Sequence, residues 1–368
     1  MTKAFNRIRK YVPLYAIITF IITALSGIIL AIEKQSVSFA DFINDGPSKP
    51  FRAIMAFLTS WIPFSLAEIL IISSPVWAAI LVIIGVKKAM KGSIATTRYI
   101  SFLASVLCFI FISFVWTYSS GYYNSTIDKK LDFSKEGITK EELYETSLWM
   151  RDELNELAPM IEYDENGASV RPYSYSELSK KIYYGYSIVT EEYNILHNFP
   201  SRIKPIILSE PMTYTHLSGI YSFMTGEANF NTNYPDYVSA SSAIHEFAHQ
   251  RGIAREDEAN FIAFLVGISS DDAYLQYSGY MDVFVGVVNS LYSESPELYF
   301  EIFAGLDRRV IEDIDAFGRF FEKYEDSKAS DVARSMNDKY LQMNGQEQGT
   351  KSYGMVTDLC VAYYISTR

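Results

Sequence analysis

Three long apolar runs in the first third of the chain constrain it most, because segments of roughly twenty residues with so little polar character find their natural solvent in a bilayer. Tyr11 to Ile32, Ser65 to Val86 and Arg98 to Thr117 are each long enough, at about 1.5 Å per residue, to cross a hydrocarbon core of about 30 Å. Backbone polar groups in such a core must bond within their own segment, so each run is expected to be a helix. Trp61, Trp116, Tyr118, Tyr122 and Tyr123 fall near the run ends, as an interfacial aromatic belt requires. The first run exceeds the apolar stretch of a cleaved signal peptide and lacks a small-x-small cleavage site after it, so it reads as a retained anchor. The shorter stretch Phe51 to Trp61, ended by Pro63, is expected at the interface. Glu68 is the one acid in these runs, and its place near the headgroups reads as a solvated carboxylate.

Orientation follows from the short flanking loops. Lys3, Arg7, Arg9 and Lys10 precede the first run, and Lys87, Lys88, Lys91 and Arg98 separate the second from the third, which assigns both to the cytoplasm. The loop carrying Glu33, Lys34, Asp41, Asp45, Lys49 and Arg52 is mixed in sign and fits the opposite face. Residues 1–124 therefore read as a multi-pass anchor in the cell membrane with the lipid bilayer as its partner, and residues 125–368 as an extracytoplasmic domain. The formal charge of −11 speaks against nucleic acid as a partner, since phosphate binding needs a basic surface. Cys108 lies inside the third run and is not expected to pair with Cys360, so disulfide stapling and a cysteine metal cluster are both excluded.

Past Ser125 the texture becomes amphipathic. Helical periodicity marks Lys140 to Ile161 and Tyr175 to Leu196, then returns from Asp236 and continues through Asp272 to Leu291, Pro296 to Tyr324, Asp331 to Leu341 and Tyr353 to Ile365. Between these lie short β-branched or aromatic runs at Pro205 to Leu208, Gly219 to Met224 and Ala228 to Phe230, with Gly226 in a turn. The expected class is α+β, mostly helical: a three-span anchor followed by a domain with a small antiparallel sheet.

The chain has only four histidines, and two of them enclose a glutamate in His245-Glu246-Phe247-Ala248-His249. Positions i and i+4 share one helix face, so both imidazoles can reach one cation while Glu246 points at the water beside it. Ser239, Ser241 or Ser242 can cap this helix, and Gly252 suits the left-handed turn after it. A catalytic zinc site needs a third protein donor and an open fourth position. Glu256 is the preferred candidate, with Glu258 as the alternative. Acids in a first helical turn also complement the helix dipole without any metal. Arg251 and Arg255 read as surface or ion-pair residues.

This pattern resembles two metallopeptidase groups. In thermolysin-like gluzincins, and in membrane proteases that process prenylated proteins, the third ligand is a Glu on a later helix, followed four residues on by Asp or Asn that orients a ligating His. Glu256 and Asn260 match that spacing. The run His245 to Arg255 also matches the metzincin pattern HExxHxxGxxH up to its last position, where Arg255 replaces a ligand, because arginine stays protonated. More of the chain resembles the uncharacterised bacterial membrane family termed domain of unknown function 3810. The likeness rests on Pro63-Phe64-Ser65, Tyr122-Tyr123, Thr225-Gly226-Glu227-Ala228-Asn229, the run from His245 to Phe261, Tyr340-Leu341 and Ser352-Tyr353-Gly354. It implies multi-span anchors with a zincin-like domain and no particular substrate.

The functional expectation is a membrane-anchored zinc metallopeptidase that hydrolyses peptide or protein substrates, with His245, His249 and Glu256 as Zn2+ ligands and Glu246 as general base. Tyr353 and His216 are the candidates for stabilising the oxyanion, and substrate is expected to add as a strand along Gly219 to Asn231. The competing expectation is a membrane sensor or scaffold that keeps the fold without cleaving. A transporter is not supported, since the three runs show no recurring polar face.

Overall fold

The computed structural model describes residues 2–346 and 355–368. After a short amphipathic helix α1 (Thr2–Tyr11), three helices are long and apolar enough to cross a membrane: α2 (Leu14–Glu33), α5 (Leu66–Ala89) and α6 (Ser93–Tyr123). α6 runs past its expected end through a π turn at Val115–Ser119, which carries it out of the apolar run into the tyrosine-rich segment. Between the first two spans lie α3 (Val37–Asp45) and α4 (Ser48–Ser60). α4 buries Ser48, Arg52, Ala56 and Thr59 and exposes Phe51, Ile54, Phe57 and Leu58, so its apolar face points outward.

Beyond the spans the chain is again mainly helical. α7 (Lys140–Leu157) and α8 (Tyr175–Tyr193) each begin with a capping box, Thr139 with Glu142 and Ser174 with Glu177, and α8 stops at Asn194 in the left-handed conformation. A two-stranded antiparallel pair, β1 (Glu162–Tyr163) with β2 (Ser169–Val170), lies between them. The three-stranded sheet has the order β3 (Ile203–Pro205), β5 (Glu227–Phe230), β4 (Gly219–Ser222). β4 pairs antiparallel with β5, but β3 pairs parallel with it, so the sheet is mixed rather than antiparallel. The parallel pairing arises because the chain crosses from β3 to β4 through a helical turn at Ser209–Thr213 instead of a hairpin. The apolar run Pro205 to Leu208 lies mostly past its strand, which ends at Pro205.

The remaining helices are α9 (Asp236–Gln250), α10 (Glu256–Ile268), α11 (Ala273–Glu294), α12 (Pro296–Ala304), α13 (Arg308–Glu322), α14 (Lys328–Met343) and α15 (Val356–Ser366). The expected single helix from Pro296 to Tyr324 is broken at Gly305, where Asp307 caps a new start. α9 begins one turn before the expected serine caps. Ser239 sits inside it and donates back to the carbonyls of Asn231 and Tyr234. α7, α9, α10 and α11 enclose one continuous apolar core containing Met150, Ile244, Phe247, Phe261, Phe264 and Phe284.

The seam between spans and sheet is polar and closely matched. Glu227 accepts from the backbone amides of Leu66 at 3.1 Å and Ala67 at 2.9 Å, a carboxylate at the positive end of α5. Glu68 returns the arrangement, accepting from the amides of Ile207 at 3.0 Å and Leu208 at 2.7 Å. It is therefore a buried structural carboxylate, not a solvated one. Lys204 donates to the carbonyls of Thr59 and Ile62, and buried Arg52 donates to Asn44 and to the Thr117 carbonyl. The sheet is thus tied to the ends of α4 and α5 through backbone groups near helix ends.

Candidate metal centre

α9 supplies His245, Glu246 and His249 on one face, then ends at Gln250. Gly252 follows at φ +98°, and the amide of Ile253 bonds back to the Ala248 carbonyl at 3.1 Å. A Cβ at Gly252 would lie 2.6 Å from the Arg52 guanidinium, so the reversal demands glycine for its conformation and for its packing. Arg255 then ties the turn to the end of α6, donating to the carbonyls of Tyr122 and Asn124 and pairing with Glu258 at 2.9 Å. The position that departs from the metzincin pattern thus holds the turn rather than a metal.

This path brings Glu256 onto both imidazoles. Its Oε2 lies 3.3 Å from His245 Nε2 and 3.5 Å from His249 Nε2, and one ligand atom from each residue falls within 4.8 Å of the others. Tetrahedral zinc with bonds of about 2.1 Å separates its ligand atoms by about 3.4 Å, close to both Glu256–imidazole distances, and the donor types suit such an ion. Glu258 points elsewhere, accepting from the Ile127 amide and Arg255. Of the two candidate acids, the structure brings Glu256 to the histidines.

The tautomer of His249 is set by its surroundings. Nδ1 faces the Ile253 carbonyl at 2.7 Å, which can only accept, so Nδ1 carries the hydrogen and Nε2 is the free donor atom of the neutral ring. Tyr118 Oη from α6 lies 3.1 Å from the same Nδ1. Asn260, expected to orient a histidine, lines the cleft. Burial works against charge on the His249 ring, but Glu256, Glu246 and the Ile253 carbonyl outweigh it and raise its pKa to about 9. Burial likewise opposes ionisation of Glu256, yet the two imidazoles hold its carboxyl well below the usual carboxylate range. Glu246 is pushed up to about 7 by burial, partly offset by the imidazoles. Its Oε2 and His245 Nδ1 have no hydrogen-bond partner among the described residues. A Cβ at Gly219 would come within 2.4 Å of Glu246 Oε1, so glycine there leaves the carboxylate its space.

These groups open into a cleft of about 910 Å³. The edge strand β4 forms one wall through Gly219, Ile220 and Tyr221; α14 forms another through Arg334 and Tyr340; and Tyr118 and Tyr122 of α6 close a third. Asp282 of α11 lies on the same surface. His216 is also on the rim, but its Nε2 donates to the Tyr324 carbonyl at 2.7 Å and its ring packs on Phe321. Tyr353 lies outside the described residues. Arg251 is buried rather than superficial, enclosed by the rings of Tyr186, Phe199 and Phe247 while it donates to Asn198 and the Phe199 carbonyl. Sequence reasoning placed Tyr118 and Tyr122 only in a membrane belt. The signal that they serve the site as well was their position immediately past a span end.

A family model described as "Protein of unknown function (DUF3810)" matches residues 46–361, which covers most of the chain and takes in α5, α6 and the candidate metal centre; the chain belongs to this family. No curated protein and no solved structure matches the chain.

Proposed function

We propose, from the premise that this chain belongs to the DUF3810 family, that it is a membrane-anchored zinc-dependent metallopeptidase. The observation that carries the reading is the set of His245, His249 and Glu256 donor atoms within 4.8 Å of one another beside the carboxylate oxygen of Glu246 that has no partner among the described residues. Zinc held by these residues would supply Lewis acidity toward a carbonyl oxygen and would lower the pKa of water toward about 7. Glu246 is the proton carrier: Oε2 takes a proton from the attacking water and passes it to the leaving nitrogen. Glycine at position 219 keeps room for this carboxylate against β4, where any Cβ would collide with it. Among the described residues β4 is an edge strand and its residues line the cleft, a place where an extended peptide could add, which supports peptide over small-molecule substrates. Lys87, Lys88, Lys91 and Arg98, at the facing ends of α5 and α6 and the turn between them, support an extracytoplasmic cleft.

The test has two parts. Purified protein is expected to hold one zinc, and Glu246→Gln should retain it while peptide-library cleavage falls by at least about a hundredfold. Zinc retained with no cleavage by the unaltered protein would support the sensor or scaffold reading instead. Equal zinc in the unaltered protein and in His249→Ala would remove this site from consideration.

A further inference from the structure

The position of the cleft relative to the spans points to a substrate class. Counting about 20 residues at 1.5 Å each from Arg98 along α6, and from Lys87 back along α5, puts the far hydrocarbon boundary near Tyr118 and near Leu66. Those two residues touch the functional unit directly. Tyr118 Oη is 3.1 Å from His249 Nδ1, and the Leu66 amide bonds Glu227 at 3.1 Å on the strand next to β4. The metal centre therefore stands within about 10 Å of the hydrocarbon edge, at headgroup level.

Exposed apolar side chains mark the same level independently. Trp61 at the end of α4 is 76% exposed, as is Ile207, whose own amide is held by Glu68 of α5. One end of the cleft runs down to this layer. Phe223 lines it and packs edge-on against Phe114, one helical turn deeper in α6 than Tyr118, with ring centroids 5.5 Å apart. A continuous aromatic surface thus leads from the span into the cleft beside β4.

We infer that the substrate is a polypeptide held in the same bilayer by an apolar anchor and cleaved a few residues beyond its point of exit. This rests on the metallopeptidase reading and adds where the scissile bond lies. An extended chain gains about 3.3–3.6 Å per residue, so about three residues are enough to bridge the roughly 10 Å between the hydrocarbon edge and the metal donors. Anchoring also keeps that segment at millimolar effective concentration beside the cleft, an advantage that falls as the spacer lengthens.

The experiment uses the full chain in liposomes with zinc. A quenched-fluorescent peptide pool of mixed sequence is supplied free, or carrying a palmitoyl chain about 5, 12 or 30 residues from the cleavable segment. The expected result is at least about tenfold higher kcat/KM for the shortest tethered form than for the free pool, declining with spacer length. Equal rates for free and tethered peptides, or a maximum at the longest spacer, would overturn the inference and leave the metallopeptidase reading standing. A parallel arm measures occupancy without turnover. Glu246→Gln protein is photo-crosslinked to the same peptides, and the short tether should label β4 residues preferentially. Loss of that preference overturns the inference, whereas preferential labelling without cleavage by the unaltered protein defeats only the reaction assigned to the site.

Discussion

The cleft and the seam beneath it are built from the same residue types and treat them in opposite ways. In the seam, Glu227, Glu68, Lys204 and Arg52 each meet backbone groups that helix and strand ends leave free. In the cleft, Glu246 Oε2 and His245 Nδ1 find no partner among the described residues, while three further donor atoms lie within 4.8 Å of one another. Matched polar groups hold two units in register. Unmatched buried groups are costly, and in the cleft two of them stand beside a candidate metal donor set, which is why the proposed chemistry is placed there.

The contrast is sharpest between two acids on one helix. Glu256→Ala should lower zinc affinity by more than about a hundredfold, beyond the usual loss of a residue that only orients a ligand. Glu258→Ala should leave zinc binding nearly intact and instead destabilise the fold by about 1–2 kcal/mol, because the part-buried Arg255 loses its carboxylate partner and the Ile127 amide its acceptor. Zinc titration and chemical denaturation of both variants separate the roles, and equal zinc loss in the two would erase the distinction. Gly252→Ala joins cleft and seam. Its left-handed backbone and the contact with Arg52 should cost at least about 2 kcal/mol and weaken zinc binding with it, read by thermal unfolding with and without metal.

Glu227→Gln tests the seam alone. It should destabilise by about 1–2 kcal/mol through the weakened hydrogen bonds to Leu66 and Ala67, with zinc affinity unchanged in the folded protein. The gentlest probe is pH. His249 has its pKa raised to about 9, so in the metal-free protein its contribution to stability is complete below about 6.5 and is lost as pH rises through about 9. Zinc must displace that proton, so zinc affinity should move the other way, rising about tenfold per pH unit from pH 7 to 9. A flat affinity profile over that range would show that His249 gives up no proton to the metal.

Much of this was legible in the residues because the signals are local. Apolar length marks a span whatever surrounds it, and α2, α5 and α6 lie where the three runs predict. Capping boxes at Thr139 and Ser174 open helices where the periodicity begins, and Gly252 adopts the conformation its place after His249 suggests. The errors lie where a partner distant in sequence decides. β3 pairs parallel with β5 because of a crossover that no two-residue period encodes, and Glu68 and Arg251 are buried because remote backbone and rings receive them.

The sequence by itself determined which segments are apolar enough to span a bilayer and which two imidazoles share a helix face, since both follow from the repeat of one helix. Only the tertiary structure decided that Glu256 rather than Glu258 meets those imidazoles, and that a tyrosine from a span stands behind one of them. The choice depends on the angle at which two helices leave the Gly252 turn, and that angle is set by what the turn rests on: Arg52, Gly121 and the far end of α6.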